Sequence, residues 1–290
     1  MNSNTVLAGL GAALLAVTLL VCGFAVCCMP ATTQALSSAV STGEDSPYTH
    51  EQLVPLAVAT RNFTVDYHQS MEEARESLAA DVVDAARAAA AEGAPKYFNW
   101  NQEAREVLAD TDRPAFDTME ALSEVSDRYA LDADAVSHLE DCNRLINGVS
   151  SYLGMFGVAA LIVAIVLGFR KQFAALAFML RMGPAFLLFV LIVLGLWGVV
   201  DFNGLFAAFH SLFFVDGTWT FSYDSLLISM YPINFWMGMG AVWVGSAIGG
   251  GLLLFAVGCF FAWKAGVQQR GLAEAAAEAA RSKKGKKGRR

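Results

Sequence analysis

Four runs of this sequence hold no charged residue for long enough to cross a lipid bilayer: approximately Thr5–Met29, Val149–Phe169, Met182–Val200 and Phe235–Trp263. A helix needs roughly 20 apolar residues to span hydrocarbon, where every backbone polar group must be satisfied within the segment itself. Hydrophobic residues make up 56% of the 290, more than a single soluble domain of this length ordinarily carries. The expected fold class is therefore an all-α integral membrane protein with four transmembrane helices. The third run is the shortest and opens on Gly183-Pro184, which predicts a kinked or late start. Gly249, Gly250 and Gly251, with Gly245 one turn earlier, mark the fourth run for close helix packing.

Charge orients the runs. Residues 31–148 carry 22 Asp/Glu against 8 Lys/Arg. Residues 170–181 hold Arg170, Lys171 and Arg181 without an acid, and residues 201–234 hold Asp201, Asp216 and Asp224 without a base. The tail from Lys264 has 9 Lys/Arg and 2 Glu and ends KKGKKGRR. Basic segments stay in the cytoplasm, which predicts an N-in, C-in chain. Its expected order is a first transmembrane helix over 1–30, an extracytoplasmic region over 31–148 and a second helix over 149–169. A cytoplasmic loop over 170–181, a third helix over 182–200 and an extracytoplasmic interfacial loop over 201–234 follow. A fourth helix over 235–263 and a basic cytoplasmic tail over 264–290 complete it. The first run is far longer than the h-region of a signal peptide, about 7–15 residues, and no basic segment precedes it, so a retained anchor is expected. A lipoprotein cleavage site at Cys27-Cys28 would need a small residue where Val26 stands. The five cysteines show neither a disulfide framework nor metal-ligand spacing.

The outer region reads as mostly helical and solvated. STGEDSPY (41–48) punctuates its start like a linker. The Ala-, Glu- and Arg-rich stretch 72–91 suits a helix closed by AEGAP, with Gly93 and Pro95 as breakers. Shorter helices are expected at 101–108 and 118–129. No phosphate loop, nucleophile elbow or CxxC is present, and the acidic faces are most simply solvated surface. One basic tail on an acidic chain gives no sign of nucleic-acid work; anionic inner-leaflet lipids suit it better. Asp132 or Asp134 can cap a helix that meets no Pro or Gly before Gly148 and so runs on into the second span. It places His138, Asp141 and Cys142 at i, i+3 and i+4, on one face. With lipid contact starting near Leu145, His138 stands about 10 Å above it, at headgroup depth.

The segment FNGLFAAFHSLFF (202–214) puts Asn203 and His210 among five phenylalanines. Wound as a helix, Phe202, Phe206, Phe209 and Phe213 fall within about 60° of one another, a narrow aromatic stripe of the kind that lies in a membrane interface. Asn203 and His210 share one shoulder of that stripe. Trp219, Phe221, Tyr223 and Trp236 supply an aromatic belt at the same depth. A lone interfacial histidine is ordinarily structural. His50, in a linker-like start, and His68, beside polar neighbours, carry little more. His210 differs because His138 is expected at a similar height, and two imidazoles near one plane can offer a base and an acid to a lipid ester.

FNxLFxxFHxxFF followed by WxF, a Leu-rich turn and YPxxFW resembles the signature of a bacterial four-span family, the Lit-type lipoprotein intramolecular transacylases. His138-Leu139-Glu140-Asp141 resembles that family's His-Met-x-Asp element before the second span. The resemblance is loose over the first span and close from roughly 130 to 264. Leu139 stands where the family has Met, Cys142 where it tends to have Val, and the stretch from about 71 to 130 is longer. The resemblance implies an acyltransferase of the bacterial cytoplasmic membrane with its active site on the extracytoplasmic face. Such an enzyme moves the sn-2 acyl chain of a diacylglyceryl-cysteine lipoprotein to that cysteine's amine, giving a lyso-form lipoprotein, and needs no cofactor and no soluble acyl donor. It implies His138 and His210 as the catalytic pair, Asp141 and Asn203 in support, and Phe202, Phe206, Phe209, Phe213 and Trp219 as positioning groups. Its partners would be the lipoprotein and membrane lipids. Two other readings stand beside it: a metal-dependent membrane lipid hydrolase using His138, Asp141, His210 and Cys142, and a non-enzymatic membrane scaffold or sensor. No HxxxH or HExxH pair favours the former.

Overall fold

The structure, a computed structural model, describes residues 3–40, 46–66, 68, 70–92 and 98–287. The linker STGED (41–45) and the breakers Gly93 and Pro95 lie outside the described residues. Eleven α-helices and no strands make up the described chain: α1 (Ser3–Cys27), α2 (Pro30–Ala39), α3 (His50–Val65), α4 (Met71–Glu92), α5 (Gln102–Ala109), α6 (Ala115–Val125), α7 (Ala133–Phe169), α8 (Phe173–Val200), α9 (Phe202–Ser211), α10 (Leu226–Met230) and α11 (Ile233–Lys287). Four of them, α1, α7, α8 and α11, are long and apolar enough to cross a membrane. The chain divides into two compact units whose boundaries fall inside these long helices.

One unit comprises Met1–Gly23, Tyr152–Val193 and Gly245–Arg290. Its helices pack through Leu15, Leu167, Leu176 and Met179, and at a few glycines the missing Cβ admits a neighbour at close range. A Cβ on Gly183 would lie 2.9 Å from the Ala12 carbonyl oxygen, and one on Gly250 would lie 3.1 Å from Leu19. Gly251 is also in contact range of Pro184, whereas Gly245 and Gly249 meet nothing. Leu161, Phe186, Phe189, Leu252 and Leu253 point outward, as side chains do when the solvent is hydrocarbon. Helix α8 runs from Phe173 straight through Pro184, so Arg181 lies within the helix and the link from α7 is short. That link is a tight C-cap. Gln172 N–H donates to Leu167 O (2.9 Å) and Lys171 N–H to Gly168 O (2.9 Å), with Lys171 in the left-handed region at φ 54°. Arg181 lies 5.5 Å from the Phe255 ring centroid, a cation–π contact.

The other unit, Phe24–Ser151 with Leu194–Val244, has a continuous core. Helix α3 packs on α2, α4 and α10, and α6 on α4 and α5. The small buried face of α4 (Ala74, Ala79, Val82, Val83, Ala86) lets these helices pack closely around it. Helices at 71–92, 102–109 and 115–125 answer the three expected at 72–91, 101–108 and 118–129. Helices α2 and α3 are additions, with no counterpart among the expected helices. Helix α3 is begun by a reciprocal cap, Thr49 with Gln52, and carries Pro55 inside. Its face Leu53, Leu56, Thr60 and Phe63 is buried. The α10–α11 corner is fixed by Tyr231, whose hydroxyl donates to the Ala57 carbonyl. Burial pushes that phenol well above its ordinary range, so it stays a donor.

Candidate active site

Helix α7 opens on Asp132, whose Oδ1 accepts from Ala135 N–H at 2.8 Å, and Ala135, Val136 and Leu139 bury its inner face. Farther on, the Asn143 amide donates to two carbonyls at the end of α3, Phe63 O (3.0 Å) and Asp66 O (2.9 Å). These contacts fix the turn that carries His138, which is 8% exposed. Helix α9 opens on Asp201, whose Oδ1 accepts from Gly204 N–H at 2.8 Å, and its last turn holds His210 at 9% exposure. The loop that follows α9 is tied down by an Arg128–Asp224 ion pair and by Leu226 N–H donating to Asp127 O at 2.8 Å.

The two imidazoles are brought together, with ring centroids 6.2 Å apart and planes 29° from parallel. Aromatic rings enclose them. Phe214 lies 4.8 Å and Phe221 5.6 Å from His138, while Phe206 lies 4.0 Å and Trp219 5.0 Å from His210. Trp236 backs Phe206 at 5.6 Å.

Hydrogen bonds distinguish the ring nitrogens. His210 Nδ1 is 2.9 Å from the Phe206 carbonyl oxygen. A carbonyl only accepts, so Nδ1 carries the hydrogen and the neutral ring presents its lone pair at Nε2. Desolvation by burial lowers the His210 pKa, opposed in part by the bond to Phe206, which favours the neutral base at neutral pH. His138 Nε2 contacts Cys142 Sγ at 3.6 Å, and its Nδ1 is buried without a hydrogen-bond partner. A thiol donating to Nε2 would put the ring hydrogen on Nδ1, leaving that atom free to donate to a ligand.

The other expected site residues divide. Phe206 and Trp219 stand against His210, and Phe202 stacks behind Phe206 at 6.2 Å. Phe209 and Phe213 pair with each other at 5.2 Å on the exposed side. Asn203 shares the shoulder of His210, but seven residues of helix separate them by about 10 Å, so its amide is not beside the imidazole. Asp141 pairs with Arg144 and acts on His138 through its charge, while the side chain in contact with His138 is Cys142. Phe214, Phe221 and Trp236 complete the enclosure. Phe221 and Trp236 looked from sequence like belt residues, and Phe214 lies off the Phe stripe, so periodicity gave no reason to select it. Among the described residues, no group of three or more His, Cys, Asp or Glu side chains is gathered as a metal ion requires.

A family profile described as lipoprotein intramolecular transacylase Lit matches residues 60–236. No curated protein matches the chain. Among solved structures, the membrane integral lipoprotein intramolecular transacylase Lit from Bacillus cereus superposes with a TM-score of 0.54 at 12% identity, over 91% of this chain and 98% of that one. A substituted form of it gives 0.46 at 13% identity, over 91% and 94%. The structural likeness shows a shared fold; the profile match, which spans more than half of the sequence, assigns the chain to the lipoprotein intramolecular transacylase Lit family.

Proposed function

We propose that this membrane acyltransferase moves the sn-2 acyl chain of a diacylglyceryl-cysteine lipoprotein to the cysteine's α-amine, with His210 and His138 as its catalytic pair. The family supplies the reaction class, and the observation that supports the pair is the 6.2 Å separation of two buried imidazoles. They are too far apart to bond each other and near enough to reach one ester.

The reaction is aminolysis of an ester. His210 Nε2 takes the proton of the attacking neutral amine, the carbonyl oxygen becomes an oxyanion, and that same proton is passed through His138 to the leaving glycerol oxygen. The hydrogen bond to Phe206 holds His210 in the tautomer that a base needs. Amine and ester belong to one substrate molecule, so much of their approach is intramolecular already, and the enclosure of Phe206, Phe214, Phe221 and Trp219 needs to hold the glyceryl group still. The acidic 31–148 segment and the basic tail support a site on the extracytoplasmic face of the bacterial cytoplasmic membrane, with α9 lying in the interface and both chain ends inside. The segment boundaries given by charge and hydropathy follow from the same reading.

Tandem mass spectrometry of a reporter lipoprotein tests this. A host that makes only the diacylglyceryl form expresses the wild type, His138→Ala or His210→Ala. Acyl migration leaves the mass unchanged, so fragment ions must locate the chain. An N-acyl fragment with wild type, reduced about 10²–10⁴-fold in rate by either substitution, is expected for a general acid–base pair. An unchanged diacylglyceryl pattern with folded wild type would overturn the reading.

A further inference from the structure

Five buried side-chain nitrogen or oxygen atoms among the described residues have no hydrogen-bond partner: Ser37 Oγ, His50 Nδ1, Trp100 Nε1, His138 Nδ1 and Trp219 Nε1. Two of the five belong to rings packed against His210. Folded proteins rarely leave a buried donor unmet, and where they do, a catalytic role is one of the accepted reasons. An indole nitrogen is a donor only and exchanges no proton near neutral pH.

We propose that the Trp219 indole N–H donates to the sn-2 ester carbonyl and holds the oxyanion that forms there. The proposal rests on the transacylase reading and adds a third reacting group to it. The Trp219 ring centroid is 5.0 Å from His210, and its loop is anchored at both sides. Thr218 N–H and Oγ1 bond the Val215 carbonyl at 3.2 and 2.9 Å, and beyond it Arg128 holds Asp224. A donor fixed before the reaction stabilises developing charge without reorganising. Asn203 is poorly placed for this task, being exposed and two helical turns from His210. His138 is ill suited as well, since the hydrogen it would use to hold the oxyanion is the one the leaving oxygen needs.

The amine nitrogen forms a bond to the carbonyl carbon while the carbonyl π pair moves onto oxygen, against the Trp219 N–H. His210 removes the amine proton. The pair then returns to remake the carbonyl as the bond to the glycerol oxygen breaks, and that oxygen takes its proton from the imidazole pair. Trp219 keeps its hydrogen throughout.

Trp219→Phe keeps an aromatic ring and removes the N–H, whereas Trp219→Ala removes both. With full-length protein in lipid nanodiscs and a diacylglyceryl lipopeptide, Trp219→Phe should lower kcat by about 10²–10³-fold, the usual loss for one oxyanion donor, with KM within about threefold. Trp219→Phe with wild-type kcat, alongside a crippled Trp219→Ala, would overturn the proposal in favour of plain packing. A second measurement needs no variant to be active. In indole-¹⁵N-labelled wild type, the Trp219 resonance, assigned by its absence from Trp219→Phe, should move downfield with a lipopeptide carrying an sn-2 amide and stay with one carrying an sn-2 ether. Equal response to both probes, or to neither, would also overturn it. If wild type forms no N-acyl product at all, the transacylase reading itself fails; if wild type transfers the chain and Trp219→Phe matches it, only the Trp219 assignment fails.

Discussion

Replacing Arg75 by Met should loosen the turn of α7 that holds His138, through Glu140. Glu140 is 5% exposed, yet its carboxylate is an ion-pair partner of Arg75 on α4. A buried carboxylate stripped of its partner costs about 3–5 kcal/mol when nothing replaces it. Two features reduce that figure here. The Arg75 side chain is 42% exposed, so water reaches the vacated position, and Arg144 Nη1 already lies 3.9 Å from the other Glu140 oxygen. What is lost is close to one charge-assisted hydrogen bond, about 2 kcal/mol. For a unit of this size each kcal/mol moves Tm by about 2–4 °C, so Arg75→Met should melt roughly 4–8 °C earlier.

The double variant Arg75→Met, Glu140→Gln is the control. A neutral amide is far less costly to bury than an unpaired carboxylate, so the double variant should regain at least half of the lost Tm although it carries one more substitution. Thermal unfolding followed by tryptophan emission in detergent reads both. Transacylation at low temperature should stay within about threefold of wild type in each, because neither group touches the imidazoles. Equal melting of Arg75→Met and wild type, or a double variant as unstable as the single, would refute the argument that Glu140 depends on its partner.

With neutral His210 as the proposed base, the acid limb of the pH–rate profile should fall below the ordinary histidine range, because burial lowers the His210 pKa. Stability follows the same sign: the unfolded ring binds a proton near pH 6.5 and the folded one resists it, so stability is kept above that pH and lost as pH falls toward the folded pKa. An acid limb above pH 7 would contradict this. Asp201→Ala removes the cap of α9 and should cost about 1 kcal/mol, read as faster hydrogen exchange at 204–206. Tyr231→Phe removes the bond from the buried phenol to the Ala57 carbonyl and should cost about 1–2 kcal/mol in thermal unfolding. Cys142→Val, which restores the family's usual residue, should keep activity within about tenfold because the thiol only biases the His138 tautomer; loss beyond 10³-fold would instead make the thiol an acyl carrier.

The membrane spans and the helices of the acidic region were readable because each is written in one local signal: an uncharged run, an alanine-rich stretch between breakers, a cap before a periodic face. The continuation of α7 from Asp132 into the second span was readable for the same reason. Helix α3 was not, since Pro55 and a weak polar pattern hide a helix that is held by tertiary burial of Leu53, Leu56 and Phe63. The start of α8 at Phe173 was hidden in a different way: Gly183-Pro184 looks like a boundary, but in a packed apolar unit the glycine serves close approach to Ala12. At the site, His138 and His210 stood out because both were expected at one height above the membrane, which His50 and His68 were not. Their partners did not, because contact depends on where a side chain turns. Asp141 shares a helix face with His138 but turns to Arg144, and Cys142, one residue on, takes the place beside the imidazole.

That exchange of partners bears on how the two histidines would divide the work in the proposed mechanism. His210 is oriented by its own helix, through a carbonyl one turn back, so its tautomer is set before any substrate arrives. His138 has only a weak thiol contact on one nitrogen and nothing on the other, so its hydrogen is free to move with the substrate. A fixed base and an adaptable acid suit a reaction in which the proton removed from nitrogen must reappear on oxygen within one cycle. Two imidazoles this close also resist being protonated together, so in the proposed reaction the pair carries only one transferred proton at a time. The substrate provides the rest of the acceleration by carrying its own nucleophile. Removing either histidine should thus leave a residual rate from proximity and oxyanion stabilisation, and removing both should cost little more than removing one, as happens when two residues act as a unit.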